Sequence, residues 1–388
     1  VLDLILEDSE ESIVSFAKGF FRHYTFRNGI DNVIALLHSL DIKKYETVIV
    51  IPITVAPCAC QSMWDYIKTL PNHIQKEYWT NLNVGIIYEE NAGFIVKKMI
   101  EYKRFDRALD IIYHSSHKNV QFDTTIIEET IIGIIKASDS NLFSRMQYEL
   151  AKVVYLLDKR EDVNLQTLYS IEVLLYKLLE HHGNINDTQF IKEIMSNPES
   201  LMEIIDKTFL SSDENERAAE IEQVKNDNSY ALLGWHIFYT LRQTPFVDSN
   251  NTIDEVALNN YIDQLQTLGN AKHKIKGVNT VIGELLGNYP ETEDYPPVPI
   301  CDIIERLNNK EVNNGFRTRL YNKRGVTVRP AYEGGTLEKN EADKYKKYAD
   351  KIRYTHPIVC SIFDDLSRDY YQIAKNEDIR VKIEKMEF

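Results

Sequence analysis

The sequence predicts an all-α protein: an irregular α-solenoid of stacked helical hairpins over residues 1–212, then a helical subdomain over 213–388 with ordered Gly-, Pro- and Tyr-rich loops at 288–336. Three observations carry this expectation. Apolar residues recur at helical spacing in nearly every segment, which is the pattern that buries one face of a helix. Two such segments, Ala92 to Tyr102 and Arg104 to Ile112, meet with almost no loop, as antiparallel helices do. Only 15 Gly and 11 Pro occur in 388 residues, while 43% are hydrophobic and 27% charged, which excludes collagen-like, linker-rich and disordered classes.

Taken in order, Ile13, Phe16, Ala17, Phe20, Phe21 and Tyr24 form the first apolar stripe. Tyr45 to Ala56 interrupts the helical texture; its consecutive β-branched residues favour an extended segment, although a lone strand has no partner and a buried turn between helices is the alternative. The hairpin at 92–112, with Ala108 and Leu109 in its second arm, resembles tetratricopeptide-like or HEAT-like repeats, although no strict period runs along the chain. Further stripes follow at Ile126, Ile127, Thr130, Ile131, Ile134 and Ile135, at Met146, Leu150, Val153, Val154 and Leu157, and at Leu168, Leu175, Leu178 and Leu179.

Helix ends carry their own signals. Gly183 follows His181 and His182 as a terminator, and Asn197-Pro198 supplies an N-cap with proline at the first helical position. The charged run Ser211 to Arg217 marks a domain boundary, and Tyr230 to Phe238, apolar on all sides, reads as fully buried. Thr252-Ile-Asp-Glu255 matches a capping box. Two final helices are expected near Leu337 to Ile352 and Pro357 to Lys375.

The net charge of −14 argues against a surface coated for nucleic acid, whose affinity comes from clustered Lys and Arg. Cys58, Cys60, Cys301 and Cys360 are too few and scattered for a disulfide framework, so buried reduced thiols in the cytoplasm are expected. The longest apolar run, Val48 to Pro57, is about half of a membrane span and holds two prolines, so no membrane association is expected. A start at Val1, already in helix-like sequence, suggests a piece of a longer polypeptide.

No phosphate loop, dinucleotide fingerprint, nucleophile elbow or zinc helix motif occurs. Cys58-Ala-Cys60 lacks a second ligand pair, and His114 and His117 read as a surface helix end. Asp364, Asp365 and Asp369 could gather a divalent ion, but on one exposed helix face carboxylates ordinarily only meet solvent. Trp64, Trp79 and Trp235 read as core. No catalytic residue, metal or cofactor is therefore assigned.

One segment departs from the acidic background. Between Lys310 and Arg353 there are twelve basic residues and six acidic ones, with Tyr321, Tyr332 and glycines among them. Such a mixture suits an anionic ligand, and a phosphate-bearing group could engage Arg319, Lys323, Arg324, Arg329 and Tyr332. The alternative is an ordered loop from Gly315 to Glu338 whose arginines are satisfied by Glu333 and Glu338.

Tyr78-Trp79, Ala108-Leu109, Gly283-Glu-Leu-Leu286, Tyr295-Pro296, Asn322-Lys-Arg-Gly325, Arg329, Gly334-Gly335 and Glu338 together make the chain resemble the C-terminal helical-repeat region of large multidomain bacterial proteins of the antiviral-defence type. The resemblance implies a sensor-like helical region and no catalytic role. The leading functional expectation is a non-enzymatic scaffold or sensor that recognises a protein partner or the remaining domains of a longer chain. The alternatives are a nucleotide or nucleic-acid binding module using residues 310–353, and an enzyme with a dispersed site.

Overall fold

The computed structural model describes residues 1–7, 11–55, 61–82, 91–137, 140–325, 330 and 333–386. The described residues are mostly α-helical; among them no strand forms, and the sole β feature is one antiparallel bridge between Val247 and Ile253. The chain divides into two compact units, Val1–Gln189 and Phe190–Phe388. The division precedes the charged run at 211–217, which lies inside the second unit. There Asp213 caps a helix, accepting hydrogen bonds from the Asn215 and Glu216 N–H groups.

In the first unit the hairpin is formed by helices Ala92–Glu101 and Phe105–Ser116. Lys103 turns the chain between them at φ 57. Ala108, Leu109, Ile111 and Ile112 are buried. Phe105–Ser116 packs also on Thr124–Lys136 and Gln147–Asp158, whose stripes are buried as the spacing predicts. Arg104 caps the preceding helix Asn72–Asn81 by donating to the carbonyls of Leu82 (2.7 Å) and Trp79 (3.2 Å), groups that a helix end leaves without partners.

Two expectations for this unit are corrected. In helix Glu11–Asn28 the buried line is Ala17, Phe21 and Thr25, and Phe16 and Phe20 are exposed. Tyr45 to Val55 is not extended: a turn leads into helix Val50–Val55. Ile49 N–H donates to Tyr45 O at 2.8 Å. A lone strand here would leave its backbone groups unpaired, and helical bonding satisfies them locally, overriding β-propensity.

The second unit is organised by two close helix pairs. Ile275–Gly287 crosses Lys310–Lys323 at glycines: a Cβ on Gly283 would lie 2.1 Å from Val312 O, and one on Gly315 would lie 2.2 Å from Thr280 O. Thr336–Ile352 runs against Pro357–Met386, where a Cβ on Gly335 would meet Ala374 O at 2.3 Å. Glu305 caps the second of these by accepting from the Ile358 and Val359 N–H groups at 2.7 and 3.0 Å. Phe316, Tyr345, Phe363 and Tyr370 fill the space between the pairs, with the Tyr345 and Tyr370 rings stacked at 5.8 Å.

The segment expected to be looped at 288–336 is helical over Val298–Leu307 and Lys310–Lys323. Gly315 serves the close crossing, whereas Gly325 and Gly334 turn the chain at φ 67 and 68. Helix Glu255–Ala271 begins as the sequence suggests, but its cap is Asp254, which accepts from Ala257 N–H at 3.0 Å. Thr252 is instead held in a reversal, its N–H donating to Asp248 Oδ1 at 2.7 Å. Asn197 does cap Pro198–Thr208, accepting from Glu199 N–H at 3.0 Å. Among the described residues no helix is long and apolar enough to cross a membrane.

Candidate functional site

The basic segment is largely consumed by the fold. Arg319 and Lys323 project one turn apart from helix Lys310–Lys323 and cap other chain ends. The Arg319 guanidinium donates from Nε to Asn288 Oδ1 and from Nη1 to Tyr239 O at 3.0 Å. The Lys323 ammonium donates to Tyr289 O at 2.5 Å. Arg324 points elsewhere, pairing with the buried Glu338 carboxylate at 2.8 Å, its guanidinium 5.5 Å from the Tyr370 ring centre. Arg329 and Tyr332 lie outside the described residues. Thus Arg319 and Lys323 are brought together, and Arg324 is not.

Most other cations of 310–353 meet carboxylates distant in sequence. Arg317 pairs with Asp369, Lys339 with Asp378 (2.7 Å), and Lys346 and Arg353 with Asp364 (3.0 and 3.1 Å). The same pairs, with Arg368 on Asp365, engage the three aspartates Asp364, Asp365 and Asp369 on that helix face. Among the described residues no group of His, Cys, Asp and Glu is arranged to hold a metal. Cys301 and Cys360 are free thiols and buried, and burial pushes the Cys301 thiol up to about 12, so it is inert as a nucleophile at neutral pH. Cys58 and Cys60 lie outside the described residues.

A different feature emerges at helix Ser229–Thr240. Asp227 sets its start by accepting from Ser229 N–H at 2.9 Å. Gly234 lets it lie close on helix Pro198–Thr208: a Cβ there would fall 1.8 Å from Thr208 Oγ1. Ile237 and Phe238 face inward. On the opposite side Leu232, Trp235 and Tyr239 remain 55%, 47% and 63% exposed. The spacing i, i+3, i+7 places them in one line along the helix. The expectations that this helix is fully buried and that Trp235 is core are therefore corrected; only Trp64 and Trp79 are buried.

The line ends in positive charge. The Arg242 guanidinium lies 5.9 Å from the Tyr239 ring centre, and among the described residues Arg242 forms no ion pair. Behind it Arg319 is only 3% exposed, and its Nη2 is buried with no hydrogen-bond partner. Burial, and then the neighbouring Arg242 charge, lower Arg319 to about 10, against an opposing pull from Glu284; it stays charged at neutral pH. Lys323 is lowered by burial, against the pull of Glu291, with Lys344, Arg319 and Arg242 as further cations around it. Glu284 is raised to about 7 by burial, so this carboxyl only partly offsets the cations at neutral pH. The sequence signal for the line was present, an apolar helix without a polar face, but it reads equally as burial.

No family model, curated protein or solved structure matches the chain.

Proposed function

We propose that this chain is a non-enzymatic helical scaffold or sensor module, its hairpins stacked as a repeat array, that recognises a protein partner through the outward face of helix Ser229–Thr240. One observation carries the reading: Leu232, Trp235 and Tyr239 stand in line in solvent on a helix whose other face is already packed. All three are large and adjacent along one helix face, and an exposed apolar patch of this kind on a monomer is often functional. Tyr and Trp are also the residues that dominate binding energy in interfaces. The resemblance to helical regions of antiviral-defence proteins agrees with a sensing role. A nucleotide or nucleic-acid role for residues 310–353 is the weaker reading, because Arg317, Arg324, Lys339, Lys346 and Arg353 are already paired with carboxylates.

The test compares partners recovered by the wild-type chain and by Trp235→Ala/Tyr239→Ala in the native host, with thermal unfolding as the folding control. A protein recovered stoichiometrically by the wild type and reduced at least tenfold with the double variant is expected. Identical recoveries from both would overturn the proposal.

A further inference from the structure

The outward line on helix Ser229–Thr240 ends at an exposed cation. Its first end follows Asp227 and the helix Glu214–Asn226, where Glu220 is paired with Lys274 and Glu222 with Lys225, Glu216 accepts from Ser211, and Lys207 lies 5.2 Å from the Tyr230 ring centre. Its other end is Arg242, backed by the buried Arg319 and by Lys323. Arg242 has no carboxylate partner among the described residues, and Arg319 Nη2 is a buried donor without an acceptor. Glu284 acts on Arg319 and Glu291 on Lys323, while the exposed Arg242 guanidinium is left able to take a further anion.

We infer that the occupant of this face is an amphipathic helix of a partner protein whose apolar side chains lie along Leu232, Trp235 and Tyr239 and whose carboxylates, gathered at one end, meet Arg242. A helix is the occupant that fits, because side chains at i, i+3 and i+7 form a ridge matching the spacing of a second helix. Arg242 then sets direction: the acidic end of the partner helix sits at Arg242. Arg242 is the recognition charge, since it is exposed and free to form a paired hydrogen bond with a carboxylate. Arg319 is a positioning residue: it fixes Tyr239 through the carbonyl and holds positive potential behind Arg242. This inference rests on the recognition reading above.

The experiment uses a display library of helical peptides with a fixed apolar face and randomised charges at both ends, panned on the full chain. Selected peptides are then measured by fluorescence anisotropy against wild type, Trp235→Ala and Arg242→Glu, each checked for unchanged thermal unfolding. Expected are peptides with Asp or Glu enriched at one end, weakened at least tenfold by Trp235→Ala and by Arg242→Glu, and losing affinity as salt rises. Panning on Arg242→Glu should select Lys or Arg at that end instead. Trp235-dependent peptides without charge preference, or unaffected by Arg242→Glu, would overturn the acidic-helix inference and leave the recognition reading standing. Absence of any Trp235-dependent binder would overturn both. Self-association of the chain, abolished by Trp235→Ala in sedimentation, would replace the partner helix with a second copy and overturn the inference.

Discussion

The crossing of Ile275–Gly287 with Lys310–Lys323 gives the sharpest stability test. In Gly283→Ala the new methyl would sit 2.1 Å from Val312 O and 2.7 Å from Phe316 N, both backbone atoms that cannot rotate away. Ordinary contact distances require the helices to part by about 1 Å, and a gap of that size forfeits roughly a quarter to a half of the dispersion energy across it. Val312, Phe316 and Leu320 are fully buried on this helix, so the loss is about 2–4 kcal/mol. Alanine returns about 1 kcal/mol through helix propensity, leaving a net destabilisation of about 1–3 kcal/mol, as overpacking does elsewhere. Gly315→Ala strikes the same crossing from the other helix, 2.2 Å from Thr280 O. Once one methyl has parted the helices the second is partly accommodated, so the double variant should cost clearly less than the sum of the singles. Native-state hydrogen exchange of the amides in 275–287 reads this locally, without assuming that the two units unfold together. Gly93→Ala, where a Cβ meets nothing within 4 Å, is the control and should be neutral or slightly stabilising. Gly283→Ala within about 0.5 kcal/mol of wild type, or strict additivity, would refute the close-crossing argument.

Three further outcomes are expected. Arg324→Ala removes a paired cation from the buried Glu338 carboxylate and should lower stability by about 1–3 kcal/mol in urea titrations; an unchanged midpoint would show that this pair contributes nothing. Lys274, 2% exposed, bonds Glu220 (2.6 Å) and the carbonyls of Phe209 (2.6 Å) and Asp206 (3.1 Å). Lys274→Met should therefore cost about 2–3 kcal/mol, and a more stable variant would mean that desolvation of the ammonium outweighs its bonds. Glu284 is held near 7 by burial, above the ordinary carboxylate value, so the folded state keeps a proton that the unfolded chain has released. Its contribution to stability is full below about pH 4.5 and falls as pH rises to about 7, then levels off. Glu284→Gln should flatten that stretch of the urea midpoint against pH, and identical pH profiles for both proteins would dismiss the assignment.

What the sequence disclosed was local and one-sided. Stripes flanked by polar residues, such as Met146 to Leu157, declare which face is buried, because the polar residues can only face water. The helix Ser229–Thr240 has no such contrast, so its sequence cannot distinguish a helix surrounded by protein from one displaying half of its apolar surface. Tyr45 to Val55 failed for a related reason: β-branched residues state a preference worth little once a lone segment must satisfy its own backbone. At Thr252 the capping-box pattern was genuine, but Asp248 and Asp254 lay close enough to take both roles.

The basic segment shows the limit from the other side. Counting charges between Lys310 and Arg353 finds an excess and suggests a ligand, yet the compensating carboxylates Asp364, Asp369 and Asp378 lie further along the chain and arrive through the packing of the last two helices. A windowed charge count assigns those acids to another segment, so it registers an imbalance that folding removes. Arg242, a cation without a carboxylate partner among the described residues, lies outside the window altogether and carries no sequence mark distinguishing it from any surface arginine. It is distinguished by company: an exposed aromatic line on one side and a buried, incompletely bonded Arg319 on the other. The aromatic line directly precedes Arg242 in sequence but Arg319 is far from it, so a recognition charge of this kind becomes visible only after the paired charges have been subtracted in three dimensions.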